Sequence, residues 1–186
     1  MKGFTYMDES SWIILANVLS GIGMLLNLIS VAMKTKRKMV IVQTFQNLFV
    51  TDGQLCLQGY AGAIQDGVAA VRNVFVLKGW DKKPVKVFFV LIAFVLGMVF
   101  NNSGLIGYLV VVVATIYAAA VVADQANEKT LKFIMLFSCV IWGLYDFSLQ
   151  NYVKALGNLA SLIMAIIYLL RHKEGKLWGK EESAEA

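Results

Sequence analysis

The sequence predicts an all-α integral membrane protein of seven transmembrane helices in a 3+1+3 arrangement, two parallel three-helix repeats joined by one linker helix. Composition is the first reason: 59% of the 186 residues are hydrophobic and only one is a proline, against roughly 45–50% apolar residues in soluble domains. Segment length is the second. Seven mainly apolar runs come near the roughly 17–25 residues that cross a bilayer: Trp12 to Met33, Met39 to Leu57, Tyr60 to Leu77, Val85 to Phe100, Gly104 to Val122, Leu131 to Phe147 and Tyr152 to Leu170. The third is an internal repeat. A shift of 92 positions lays Leu57-Gln58-Gly59-Tyr60 on Leu149-Gln150-Asn151-Tyr152, pairs Gln54 with Asp146 and Asp66 with Asn158, and superimposes the first three runs on the last three without a gap. Three crossings invert the chain's direction and a fourth restores it, so the two triplets run parallel. Repeats related by an axis along the membrane normal are a transporter plan with the binding site at the midplane between halves.

Orientation follows from the cations. Lys34, Lys36, Arg37 and Lys38 fill the first loop, Lys78, Lys82, Lys83 and Lys86 the third, and Arg171, Lys173 and Lys176 follow the last run. The second and fourth loops carry none, and the sixth has only Lys154. Positive residues stay on the cytoplasmic side, which places the amino terminus outside and the carboxy terminus in the cytoplasm. The amino terminus lacks the basic region and small-residue cleavage site of a signal peptide, so the first run is expected to stay as mature structure. Pro84 starts the fourth run, where its missing N–H costs nothing. The domains are then 1–80, the first three-helix bundle; 81–103, the linker helix; 104–172, the second bundle; and 173–186, a polar and largely disordered cytoplasmic tail.

The first run places Asn17, Ser20, Gly21, Met24 and Asn27 on one face, either a packing seam with interhelical hydrogen bonds or part of a site. The second carries a sharper stripe of Gln43, Gln46, Asn47, Thr51 and Gln54. Four carboxamides, each able to donate and accept, exceed what packing needs and suit a polar small molecule or a hydrated passage.

In the third run Asp66, Ala69, Ala70 and Asn73 share a face, the alanines leaving room for a substrate or a neighbouring helix. A charge inside a bilayer costs about 2.5–3.5 kcal/mol on insertion scales, so Asp66 marks a functional interior, as a hydrogen-bonding partner or a proton carrier. Arg72 lies six residues on and does not meet Asp66; it is a candidate structural or gating charge that pairs with another helix, or it snorkels to the cytoplasmic interface.

The sixth run places Ser138, Trp142, Tyr145 and Asp146 on about one face. Trp142 is deep enough to line a pocket. Tyr145 and Asp146, near the outer end, are expected in the interfacial belt, with a gating or structural charge as the other role for Asp146. In the seventh run Asn158, Ser161 and Ala165 repeat the third-run face, and Asn158 is expected to approach Asp66 across the pseudo-twofold. Substrate binding is thus assigned to Asn17, Gln43, Gln46, Asn47, Asp66, Asn73, Trp142 and Asn158.

Other function classes fit poorly. The net charge of +5 is distributed between apolar runs, whereas nucleic-acid binding needs a continuous basic face. Cys56 and Cys139 lie far apart in apolar surroundings and imply no disulfide framework, metal site or cofactor. Zinc-protease and serine-hydrolase motifs are absent, so no enzyme is expected. Lys154 lies near the outer end of the last run, which argues against a retinal protein.

GYAGAIQDGVAAVRN, the run beginning GLIGYLVVVVATIYA and the last run opening YVKALGNLASLIM resemble the bacterial inner-membrane YgjV family over nearly the whole chain apart from the tail. The best markers are Tyr60, Gly62-Ala63 and Arg72. That family is similar in turn to the PQ-loop group, which includes the SWEET sugar facilitators and vitamin transporters of the nicotinamide-riboside type. The resemblance implies the same 3+1+3, SWEET-like plan, and puts Asp66 and Asn158 where SWEET proteins hold substrate with paired asparagines. Two departures stand out: the first of the pair is an aspartate here, and the group's proline–glutamine dipeptides are missing, Pro84 being the only proline. The expectation is a multi-pass facilitator or proton-linked carrier of the bacterial inner membrane. Its cargo would be a small polar metabolite such as a sugar, vitamin or nucleoside, moved by alternating access. Its other partner is lipid, and its small-residue seams would permit a homo-oligomer. The competing expectation is a non-transporting structural or regulatory membrane protein.

Overall fold

Seven helices and no strand make up the described residues, which in this computed structural model are 8–31, 33, 35–123 and 128–181. The helices are α1 (Glu9–Val31), α2 (Lys36–Cys56), α3 (Tyr60–Leu77), α4 (Lys83–Val99), α5 (Gly104–Ala123), α6 (Glu128–Ser148) and α7 (Tyr152–Glu181). Six follow the apolar runs closely. The seventh does not stop at Leu170 but continues to Glu181, so the first part of the expected tail is helical. The sequence there, RHKEGKLWGKE, contains two glycines, Gly175 and Gly179, but no proline, and nothing in it breaks an i to i−4 ladder already under way. Lys34 of the first basic loop and residues 182–186 lie outside the described residues.

The ends of the helices carry the repeat in their geometry. A shift of 92 takes Lys36–Cys56 onto Glu128–Ser148 and the first residue of α3 onto that of α7. Only two non-glycine residues among those described have positive φ, Gln58 at 57° and Gln150 at 61°, and they are equivalent under that shift. Each occupies the left-handed position of a helix-ending turn. The N–H of Gly59 bonds the carbonyl of Gln54 at 2.8 Å, and the N–H of Asn151 bonds that of Asp146 at 2.8 Å. Bonds from Gln58 to Leu55 and from Gln150 to Phe147, both 3.0 Å, complete the pattern. Such closures satisfy the last carbonyls of a helix and offset the strain of a left-handed residue.

Each helix packs against the next, and two further contacts shape the whole: α1 against α7, and α3 against α5. Together these close α1, α2, α3, α5, α6 and α7 into a ring and leave α4 outside, against α3 and α5. Small residues allow the closest approaches. A Cβ on Gly97 of α4 would stand 2.7 Å from both Val111 and the Gln65 side chain, whose amide donates to the Ala93 carbonyl at 2.9 Å. The apolar core lies where α3, α5 and α6 meet, around Ala61, Val110, Val111 and Tyr145, with Phe94 and Met98 of α4 against it.

The outer surface is apolar on all seven helices, with Leu105 76%, Phe137 70% and Met164 68% exposed among many others. Soluble monomers rarely carry contiguous apolar patches above a few hundred Å². One helix, over Glu9–Ser30, is long and apolar enough to cross a membrane by itself; Gly104–Ala120, Phe133–Ser148 and Tyr152–Ile167 are shorter apolar stretches. Among the others, α2 opens on Lys36, Arg37 and Lys38, and α3 carries Asp66 and Arg72.

Candidate functional site

Where the ends of α2 and α6 meet the beginnings of α3 and α7, side chains from both repeats converge on one polar cluster. Because Gln54 and Asp146 each contribute the carbonyl that closes their helix-ending turn, they hold equivalent places, and their side chains touch. The Gln54 amide approaches Asp146 Oδ1 at 3.5 Å, which sets the two on either side of the axis relating the turns. Both are fully buried. The other carboxylate oxygen of Asp146 accepts from the Asn158 amide at 2.8 Å.

Lys154, in the first turn of α7, supplies the cation. Its Nζ lies 3.0 Å from Asp66 Oδ2 on α3 and 3.7 Å from Asp146 Oδ1 on α6. It also stands 4.3 Å from the centre of the Trp142 ring, a distance at which an ammonium is drawn to an indole face. The side chains of Lys154 and Asp66 keep 17% and 22% exposure, while that of Asp146 has none. Two carboxylates and one ammonium leave the ionised trio with one net negative charge. Such a group can bind polar or charged small molecules, exchange partners within the trio, or hold three helices together.

Tyr145 closes the cluster on the side of the turns. Helix α3 begins at Gly59 with no side-chain cap of its own, and the N–H of Gly62 in its first turn donates to the Tyr145 hydroxyl of α6 at 3.0 Å. Helix α7 is anchored differently. The N–H of Val153 donates to Asn17 Oδ1 at 3.0 Å, the Asn17 amide donates to the Gln150 carbonyl at 2.9 Å, and the Asn151 amide donates to Ser20 Oγ at 2.9 Å. Beyond these turns lies a cavity of about 510 Å³ lined by Cys56, Leu57, Gln58, Ser148, Leu149 and Gln150, with Glu9, Trp12 and Ile13 of α1. It opens at the end where α1 begins.

The expected site residues divide accordingly. Asp66, Trp142 and Asn158 belong to the cluster. Asp66 and Asn158 do not bond each other; Lys154 and Asp146 stand between them. Asn17 ties α1 to the α6–α7 turn. Gln43, Gln46 and Asn47 are half-buried along α2, towards the other end of the bundle, with no side-chain hydrogen bond among the described residues. Asn73 is buried on α3, two turns beyond Asp66, and Arg72 is half-buried without an ion pair among the described residues.

The interfacial-belt expectation for Tyr145 and Asp146 is overturned, since both are wholly buried. They lie near the end of α6, but the turn that follows folds α7 back over them, and α3 covers the ring. Lys154 is the functional residue that sequence reasoning missed, set aside as a loop charge. The available signal was its position: a lysine in the first turn of the last apolar run, where the second and fourth loops carry no cation, next to a helix pair bearing two aspartates.

No curated protein and no solved structure matches this chain. The model of the Imp-YgjV family, described as bacterial inner membrane protein, does match, over residues 14–176, and on that match the chain belongs to this family of the bacterial inner membrane.

Proposed function

We propose that the chain is a multi-pass carrier, a facilitator or proton-linked transporter, for a small polar metabolite. Helices α1–α3 and α5–α7 act as two parallel units in a SWEET-like 3+1+3 plan, with α4 as the linker, the amino terminus outside and the carboxy terminus cytoplasmic. The observation that carries this is the Asp66–Lys154–Asp146 cluster, built from both units at the place where equivalent residues meet. Charges inside a bilayer-embedded bundle mark substrate paths, proton relays or ligand sites. The apolar exterior of all seven helices supports a multi-pass arrangement. Alternating access would open the cluster first towards the vestibule beside Gln58 and Gln150, then towards the other end. The Tyr145–Gly62 contact between units would break and reform in the cycle.

The second reading is a structural or regulatory membrane protein. It is favoured by the way Asp66 and Asn158 are already engaged by Lys154 and Asp146. Uptake into proteoliposomes of a panel of sugars, vitamins, nucleosides and amines separates the two, with Asp66→Asn and Asn158→Ala beside the parent. The carrier reading expects one class of solute to enter and both variants to slow it. Uptake of nothing in the panel favours the structural reading, and uptake unchanged in both variants removes the site from this cluster.

A further inference from the structure

We infer that the cluster binds a small primary ammonium compound, which takes Asp66 while Lys154 withdraws onto Asp146. This deepens the carrier reading above and rests on it for the statement that the bound compound is cargo. The site already holds an ammonium, that of Lys154, between the Asp66 carboxylate at 3.0 Å and the face of Trp142 at 4.3 Å. A carboxylate on one side and an indole face on the other are the surroundings in which ammonium groups are held strongly.

Two buried side-chain polar atoms lack a hydrogen-bond partner among the described residues, the Thr51 hydroxyl and Gln54 Oε1, and the one beside the cluster, on Gln54, is an acceptor. Gln54 is fully buried, and its Oε1 has no hydrogen-bond partner among the described residues. Its orientation is fixed, because turning the amide over would bring the carbonyl oxygen against Asp146. A buried acceptor without a donor costs free energy, and Lys154, moving onto Asp146 beside the Gln54 amide, would bring N–H donors towards it.

Charge points the same way. An anionic ligand would add to the net negative charge of the trio, and a neutral one would leave it, whereas a monocation balances two carboxylates against two ammoniums. Lys154 has somewhere to go, since Asp146 Oδ1 is 3.7 Å from its Nζ. Of the two carboxylates, Asp66 is the one a ligand can reach, at 22% exposure against none for Asp146. The vestibule leading to the turns has Glu9 in its wall.

The test uses three near-isosteres, ethanolamine, ethylene glycol and glycolate, titrated calorimetrically into the full-length protein in nanodiscs. Ethanolamine is expected to bind, ethylene glycol more weakly and glycolate not at all. Asp66→Asn, which keeps the Lys154–Asp146 pair, should weaken ethanolamine binding by about tenfold or more. Lys154→Ala removes the tethered competitor and should tighten it. Ethanolamine should also raise the melting temperature of Lys154→Ala more than that of the parent, as a ligand specific to the folded state does. Should Lys154→Ala fail to fold, Asp66→Asn alone decides. Glycolate or ethylene glycol binding as well as ethanolamine overturns the inference, as does unchanged binding in Asp66→Asn, weaker binding in Lys154→Ala, or no binding of any of the three at millimolar concentrations. The titration needs no transport and the uptake panel needs no charge. Uptake of a neutral solute therefore sinks the ammonium inference alone, and ethanolamine binding without uptake of any amine sinks the carrier alone.

Discussion

Removing Lys154 should damage the protein far more than removing Asp66, although the two form one salt bridge. In Lys154→Met the side chain keeps nearly its length but both carboxylates lose their counter-charge, and one of them, Asp146, is wholly buried. Deleting one partner of a buried pair costs about 3–5 kcal/mol. Asp66→Asn instead leaves Lys154 with Asp146 at 3.7 Å and removes the excess negative charge; its cost should be about 1 kcal/mol or less. The difference of roughly 2–4 kcal/mol corresponds to about 4–16 °C in melting temperature for a chain of this size. The double variant should fall between the two, because Asp146 then retains the amides of Asn158 and Gln54. Thermal unfolding in detergent, followed by circular dichroism and by loss of the monodisperse peak on size exclusion, measures the order. Equal melting temperatures for the two single variants would refute the shared-ammonium arrangement, as would a Lys154→Met variant as stable as the parent.

Tyr145→Phe removes the acceptor for the Gly62 N–H without changing ring volume and should lower stability by about 1–2 kcal/mol. A melt in the same detergent checks it, and an unchanged melting temperature would mean that α3 is capped in another way. Gly62→Ala would drive a Cβ to 2.5 Å from the Gln54 amide nitrogen, an overpacking that costs about 1–3 kcal/mol. Adding Gln54→Ala vacates that space, so the double variant should be more stable than the sum of the two single changes predicts. Cys56 lines the vestibule and is half-buried, whereas Cys139 is buried; a charged maleimide applied to intact cells should label Cys56 first, and faster labelling of Cys139 would place the vestibule wrongly.

Helix positions were legible because a long apolar run has one economical solution, a hydrogen-bonded helix, in which every backbone group is satisfied. The repeat was legible for a related reason: LQGY and LQNY each pass through a left-handed residue, and the bonds that close such a turn involve only six consecutive residues. The end of α7 was misjudged because polarity was taken for disorder, and a helix already nucleated needs a specific breaker to stop. Within the site, Asp66 and Asn158 could be singled out because a polar group in an apolar run is locally conspicuous. Trp142 could be ranked by its depth. Tyr145 and Asp146 could not be placed, since their distance from the end of a helix gives no information about which neighbour folds over them.

The residues by themselves determined where the chain is helical, where its turns fall, and that polar groups at matching places in two halves were costly enough to need a purpose. Tertiary structure alone decided which of them meet. The ring closes through contacts of α1 with α7 and α3 with α5, and that closure sets Lys154 between two aspartates that are 80 positions apart in sequence. Its cause is the summed packing of small and large side chains along several helices. No stretch of chain carries that sum, so the charge that neutralises Asp66 could be found only once the helices had been brought together.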